Sequence, residues 1–331
     1  MYDVTVKIDL TKPVGKLGFG IPLILQENAE KNVEYTEVSD LAEVAAAGFA
    51  ETTDVYKAAK LLFAQNNAPK KIAVCAVESP ATTALADATL ISKDWRQLIV
   101  PFVESAAEDI APIVEGLDGK VYFADLDTDD ETNITASGLR RTVLFYCDAT
   151  EDVPVPVAAL VGETAGRAAG SFTYKNLKLS GIDAQPLTDA EVDAIHKKGG
   201  ITYVNKAGDN VTSEGKVAGG EYIDVIDSED YIIQQLAYKT QKVLNNAAKI
   251  PYDNNGIAML ESVAVDVLQS AYNDGMIATK EDGTPDYSVH YALREDTSDI
   301  DRANRQYLGG SFSFVLAGAI HTVKITGTIT A

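Results

Sequence analysis

Residues 53–77 read TDVYKAAKLLFAQNNAPKKIAVCAV, and that stretch sets the fold class. Tyr56, Ala59, Leu62 and Phe63 recur at helical spacing behind a Thr53 or Asp54 cap. Asn66, Asn67 and Pro69 end the run. Lys71 to Val77 then stays apolar and rich in β-branched residues, which predicts a strand buried on both faces. Upstream, Phe19 to Gln26 reads as another strand, with Pro22 marking an edge or a beginning. Asp40 and Glu43 make a capping box for a short helix that ends at Gly48. Downstream come a helix from about Pro80, a strand over 97–103, a helix over 105–116 and a strand at Val121 to Ala124. A helical or turn-like piece over 133–140 and a buried strand at Val143 to Cys147 follow. Strand and helix alternating at this spacing predict an α/β domain over 17–152 with a largely parallel sheet covered on both faces.

The second half, 153–309, changes to an α+β texture. An Ala-rich helix is expected between Pro154 and Gly170, and strands at Phe172 to Leu179, Ile201 to Asn205, within 206–219 and at Glu221 to Val225. Thr188 with Glu191 forms a second capping box. Two long helices follow, separated by Pro251. Ile232, Ile233, Leu236, Val243 and Leu244 stripe the first, over 228–248. Ile257, Leu260, Val263, Ala264, Val267, Leu268 and Ala271 stripe the second, over 256–274, more cleanly.

Both ends of the chain carry alternating segments. Tyr2, Val4, Val6, Ile8 and Leu10 alternate with polar residues over 1–16, before Lys12-Pro13 and Gly15 break the strand. In 310–331, Phe312, Phe314 and Leu316 alternate first; past Gly318 the phase flips, and Val323, Ile325 and Ile329 share a face. A strand edge is a template for another chain, so each segment either closes its own sheet or reaches into a neighbour.

Composition narrows the function. The chain has 331 residues, 46% hydrophobic and 23% charged, the balance of a packed globular protein. Its formal charge of −21 argues against phosphate-backbone partners, so no nucleic acid is expected. No apolar run approaches membrane-spanning length and the start lacks a signal-peptide layout, so no membrane insertion and synthesis in a cytoplasm are expected. Cys75 and Cys147, the two cysteines, sit in apolar runs and read as reduced core thiols.

Chemical motifs are missing. His196, His290 and His321 stand far apart and read as surface or turn residues. There is no phosphate loop and no nucleophile elbow, and Gly15 to Gly20 precedes a strand where a dinucleotide fingerprint would follow one. Asp125, Asp127, Asp129 and Asp130 begin like a calcium loop, but Asp130 and Ala136 occupy the positions that need Gly and Glu. No catalytic residue, cofactor or metal is expected. Two competing readings are an α/β enzyme or nucleotide-type binder with its ligand at the strand C-termini, and a monomeric binding module whose termini pair internally.

Several runs resemble contractile tail sheath proteins. They are Gly170-Ser-Phe-Thr-Tyr-Lys-Asn-Leu, Gly200-Ile-Thr-Tyr-Val, Glu221-Tyr-Ile-Asp224, Lys249-Ile-Pro-Tyr-Asp-Asn-Asn-Gly256 and Leu316-Ala-Gly-Ala-Ile-His-Thr-Val-Lys-Ile-Thr-Gly327. The resemblance implies a two-domain body with extended terminal β-arms, polymerising with itself as stacked rings in a helical sheath. It implies an inner tail tube, baseplate and tail-terminator proteins as partners, and a place in the tail of a phage, bacteriocin or injection particle. Under it the arm residues are Tyr2, Val4, Val6, Ile8, Leu10, Phe312, Phe314, Leu316, Val323, Ile325 and Ile329. The flexible points are Gly15, Gly18, Gly309, Gly310 and Gly318, and a tube-facing helix uses Ile257, Leu260, Val267 and Leu268.

Overall fold

A computed structural model describes residues 20–101, 107–129 and 138–321. Arm residues Tyr2 to Leu10, Gly15, Gly18, Val323, Ile325 and Ile329, and most of the turn expected at 133–140, lie outside the described residues.

The chain first lays down β1 (Ile21–Gln26), β2 (Val33–Val38), α1 (Leu41–Ala46), α2 (Asp54–Phe63) and β3 (Ile72–Ala76). Then come α3 (Ala81–Ala84), α4 (Ala88–Ile91), β4 (Trp95–Ile99), α5 (Ala107–Glu115), β5 (Val121–Leu126), β6 (Thr142–Tyr146) and α6 (Val157–Ala165). The second half adds α7 (Asp189–Lys197), β7 (Gly200–Lys206), β8 (Asp209–Thr212), α8 (Ile223–Asn246) and α9 (Asn254–Asn273). It closes with β9 (Tyr287–Tyr291), α10 (Asp299–Ala303) and β10 (Gly310–Phe314).

Eight strands form one sheet in the order β2-β3-β1-β4-β5-β6-β7-β8. Its interior pairs are parallel, and β2 and β8 close the edges antiparallel. Period-2 side chains divide between two cores. Ile72, Val74, Val143 and Phe145 face α2 and α6, whereas Ala73, Cys75, Leu144 and Tyr146 face α3, α5 and α7. The expected doubly covered parallel sheet is thus present. Asp40 accepts from the Glu43 amide at 2.9 Å while Glu43 reaches back to the Ser39 amide. Thr188 and Glu191 form the second capping box as read.

Several expectations are corrected. Pro22 marks the beginning of β1, not an edge: β1 lies between β3 and β4, and its register against β4 slips between Ile21 and Leu23, at the residue without an amide hydrogen. The strand β2 went unpredicted. The boundary expected at 152/153 falls inside one sheet, because β7 and β8 complete it. Phe172 to Leu179 is irregular rather than a strand. Asn176 there takes φ 62, a left-handed conformation that breaks a strand, and its amide instead donates to the Thr212 carbonyl. Glu221 to Val225 is the entry into α8, with only one isolated bridge, Lys216 to Tyr222.

A second, smaller lobe stands on α8 and α9. Asp253 caps α9 by accepting from the Asn255 and Gly256 amides. Ile232 and Leu236 of α8 meet Val263, Val267 and Leu268 of α9 in a third core. The antiparallel pair β9–β10 lies over it, with Tyr287, Val289, Tyr291, Phe312 and Phe314 turned inward.

Candidate assembly surface

Two features fix this surface: how α8 is tied to the sheet, and what the hairpin lobe leaves open. Arg96 on β4 is 2% exposed and donates to Asp227 at 2.5 Å and Asp230 at 2.7 Å on α8. Arg141 forks onto both Asp230 oxygens at 2.9 and 3.0 Å, and Tyr174 donates to Asp227 at 2.8 Å. Burial raises the pKa of Asp230, but Arg96 and Arg141 outweigh it and hold that carboxyl down at about 2. Two guanidinium groups facing two carboxylates leave the cluster close to neutral. This cluster pins the first turns of α8 to the sheet while the rest of the helix carries the smaller lobe.

The hairpin of that lobe is a two-stranded sheet, and no third strand joins it among the described residues. Among the described residues each strand therefore has one edge without a ladder partner. The outward face is small and polar: Ser288, His290, Ser311 and Ser313 are exposed, with Ser288 and Ser313 hydroxyls 2.8 Å apart. Between the strands runs an excursion braced on the α8–α9 turn. The Arg294 amide donates to Asn254 Oδ1 at 2.8 Å, and the Tyr252 hydroxyl donates to the Gln306 carbonyl at 3.0 Å.

Among the described residues, every exposed large apolar side chain lies within 259–320. Ile300 is 72% exposed, Leu308 71% and Ile320 85%, joined by Met259, Leu293 and Val315. These exposed apolar side chains are confined to the smaller lobe and the strap that follows it.

The predicted site residues separate on this map. Phe312 and Phe314 belong to β10 and are half-buried against their own lobe, and Leu316 bridges Ile277 of the same chain. The segment is thus folded back on its own lobe as far as Ala317, whose amide donates to the Met276 carbonyl at 2.8 Å. Gly309 and Gly310 sit inside the hairpin. A Cβ there would come within 2.7 Å of Ala292 and 2.9 Å of the Tyr291 ring, so these glycines permit close packing rather than a hinge. Gly318 stands in open space. Ile257, Val267 and Leu268 are core residues, 4%, 2% and 0% exposed, and Leu260 is half-buried, so the stripe on α9 is not a tube-facing surface. The outward residues of α9 include Met259, Ser262 and Val265.

His321 is not a surface residue either. It lies 2.9 Å from the Thr173 hydroxyl and stands edge-on to the Tyr222 ring at 4.8 Å. His196 contacts the Ser213 hydroxyl at 2.8 Å, and burial lowers its pKa. Cys75 and Cys147 are buried free thiols, pushed up by burial to about 11 and about 12. Among the described residues no three side chains converge as a metal site.

Residues 223–329 match the family model described as E217 tail sheath protein gp31-like, C-terminal domain. The whole chain has the fold of contractile sheath proteins. It is similar to the helical sheath of the anti-feeding prophage in its contracted state, at 14% identity and a TM-score of 0.73, covering 98% of each chain. It is equally similar to the contracted sheath of an extracellular contractile injection system, PVC, at 12% identity and a TM-score of 0.73, over 99% of this chain and 97% of that one. The sheath tail protein of Listeria innocua follows at 13% identity and a TM-score of 0.54, over 83% of this chain and 89% of its own. No curated protein matches the chain in sequence. The chain thus shares the fold of contractile sheath proteins, and its residues 223–329 carry the match to a tail sheath C-terminal domain.

Proposed function

We propose that this chain is the structural subunit of a contractile sheath that polymerises around an inner tube by exchange of strands between subunits. The observation that carries the reading is the hairpin β9–β10, a two-stranded sheet held on a firm core with no third strand at either edge among the described residues. Residues 2–10 and the residues after His321, taken from neighbouring copies, supply the missing strands. With four or five backbone hydrogen bonds per added strand, each worth about 0.5–1.5 kcal/mol net, an arm contributes about 2–7 kcal/mol. That keeps subunits connected while contacts between bodies rearrange.

Rings joined by such head-to-tail contacts stack as an open helix. The extended lattice is metastable, and relaxation to a shorter, wider one drives the tube through a target envelope once the baseplate releases it. The exposed apolar residues of the smaller lobe are available to the tube and to adjacent subunits, and a terminator protein ends the stack. The particle is assembled from subunits made in a bacterial cytoplasm.

Negative-stain electron microscopy tests the reading. The full chain should form hollow cylinders, and a chain lacking residues 322–331 should stay soluble, keep its far-ultraviolet spectrum and form none. Normal cylinders from that deletion would refute strand exchange through the C-terminal segment.

A further inference from the structure

The last described residues form a strap between the two lobes. After β10, the Val315 amide donates to the Asp286 carbonyl at 2.9 Å, the Ala278 amide to the Val315 carbonyl at 2.7 Å and the Ala317 amide to the Met276 carbonyl at 2.8 Å. Those partners all belong to the smaller lobe. Gly318, Ala319 and Ile320 are then exposed, and the chain turns back inward at His321, whose side chain is 10% exposed. The residues that receive His321 belong to the sheet-bearing body and its junction with α8. Thr173 contacts Nε2 at 2.9 Å, Tyr222 meets the ring edge-on, and Glu214 stands 3.6 Å from Nδ1. Glu214 is itself fixed by Lys175 at 3.3 Å. Beneath the strap a cavity of about 80 Å³ is lined by Gly170, Tyr222, Ser228, Met276 and Ala317, so little packing holds residues 318–320 between the two anchor points.

We infer that His321 is a mooring, which fixes the C-terminal strap to the sheet-bearing body so that a pull on the following residues loads Thr173, Tyr222 and Glu214 before it reaches the hairpin. The physical reason is the order in which contacts lie along the chain. A hairpin strand pulled from its end opens one hydrogen bond at a time, and each is worth little alone. Without His321, a pull would meet Ala317 first, then Val315, then Phe314 and Phe312, peeling away the strand that keeps the apolar lobe covered. With His321 seated, the first contact to bear load is a side-chain clasp on a different and larger core. This inference rests on the sheath reading for the origin of the pull, while the clasp is a property of a single subunit.

Hydrogen–deuterium exchange on the soluble full-length chain tests the clasp without assembly. His321→Ala and Thr173→Val remove one contact from opposite sides. Each should speed exchange at the Ala317 amide roughly tenfold while the Ser311 and Ser313 amides, which face β9 in the ladder, keep their wild-type rates, because local opening follows local contacts. His321→Gln, whose carboxamide can donate to or accept from the Thr173 hydroxyl, should recover most of the protection. Unchanged exchange at Ala317 in both variants would overturn the mooring, and so would equal acceleration at Ser311 and Ser313, since strap and hairpin would then open as one unit. If the wild-type chain forms no cylinders while His321→Ala still loosens Ala317, the mooring stands and the sheath reading falls.

Discussion

Replacing Arg96 with Met is the sharpest probe of how the lobes are joined. Met fills much of the same volume but leaves Asp227 with Tyr174 alone, and Asp230 with Arg141 alone. Arg96 is 2% exposed and its partners 8% and 12%, so the pairs lie on the buried side of the distinction between interior and surface ion pairs. Removing one member of a buried pair costs about 3–5 kcal/mol, because the orphaned carboxylate keeps its desolvation penalty. Urea unfolding followed by far-ultraviolet circular dichroism should show that loss. With a slope of about 3 kcal/mol per molar, the midpoint falls by about 1–2 M. The double variant Arg96→Met with Asp227→Asn should recover a large part, since the carboxamide carries no charge to orphan and still accepts from Tyr174. Acid adds a second signature. The Asp230 carboxyl is depressed from 3.8 to about 2 in the folded chain, so its contribution is complete above pH 3.8 and is lost as pH falls through about 2. The variant should flatten that acid limb. A loss below about 1 kcal/mol, the range of exposed pairs, would refute the claim that this cluster ties α8 to the sheet.

Other perturbations separate packing from charge. Burial raises the pKa of Asp125 well above its usual range, and among the described residues its Oδ2 has no hydrogen-bond partner while Oδ1 accepts from the Val157 amide at 3.2 Å. The folded chain therefore holds a proton that the unfolded chain releases above about pH 4, and this carboxyl costs stability as pH rises. Asp125→Asn should raise the melting temperature more at pH 8 than at pH 4, and an equal shift at both would count against the assignment. Gly166→Ala should cost about 1–3 kcal/mol in chemical denaturation, because its Cβ would lie 2.1 Å from the Asn67 carbonyl oxygen, where α6 crosses the end of α2. Gly318→Ala, in open space, should stay within about 0.5 kcal/mol of wild type, and a larger loss would show that this position is conformationally special.

What was legible in the sequence divides along a physical line. Buried parallel strands announce themselves because both faces are apolar, and KIAVCAV and VLFYC resolve into β3 and β6 with alternate residues in opposite cores. Helix starts were legible where a side chain caps the backbone locally, as at Asp40, Thr53 and Thr188. The edge strand β2 escaped because Val-Glu-Tyr-Thr-Glu-Val buries only one residue fully, leaving a weak alternation. The Arg96 cluster had no signal at all, since its partners sit on elements far apart in the chain and a sequence rich in carboxylates does not say which are paired. The apolar stripe named on α9 is buried within its own chain, for a reason that extends to the whole surface. An apolar stripe at helical spacing first finds the nearest core, and here Val263, Val267 and Leu268 pack against α8 in the same chain. An assembly surface is built from what remains after that demand is met. The exposed apolar residues of this chain have no period, because Met259, Leu293, Ile300, Leu308 and Ile320 come from a helix, a loop, a short helix, a strand approach and a strap. Only the fold gathers them into one lobe, and only their exposure distinguishes them from the core residues beside them.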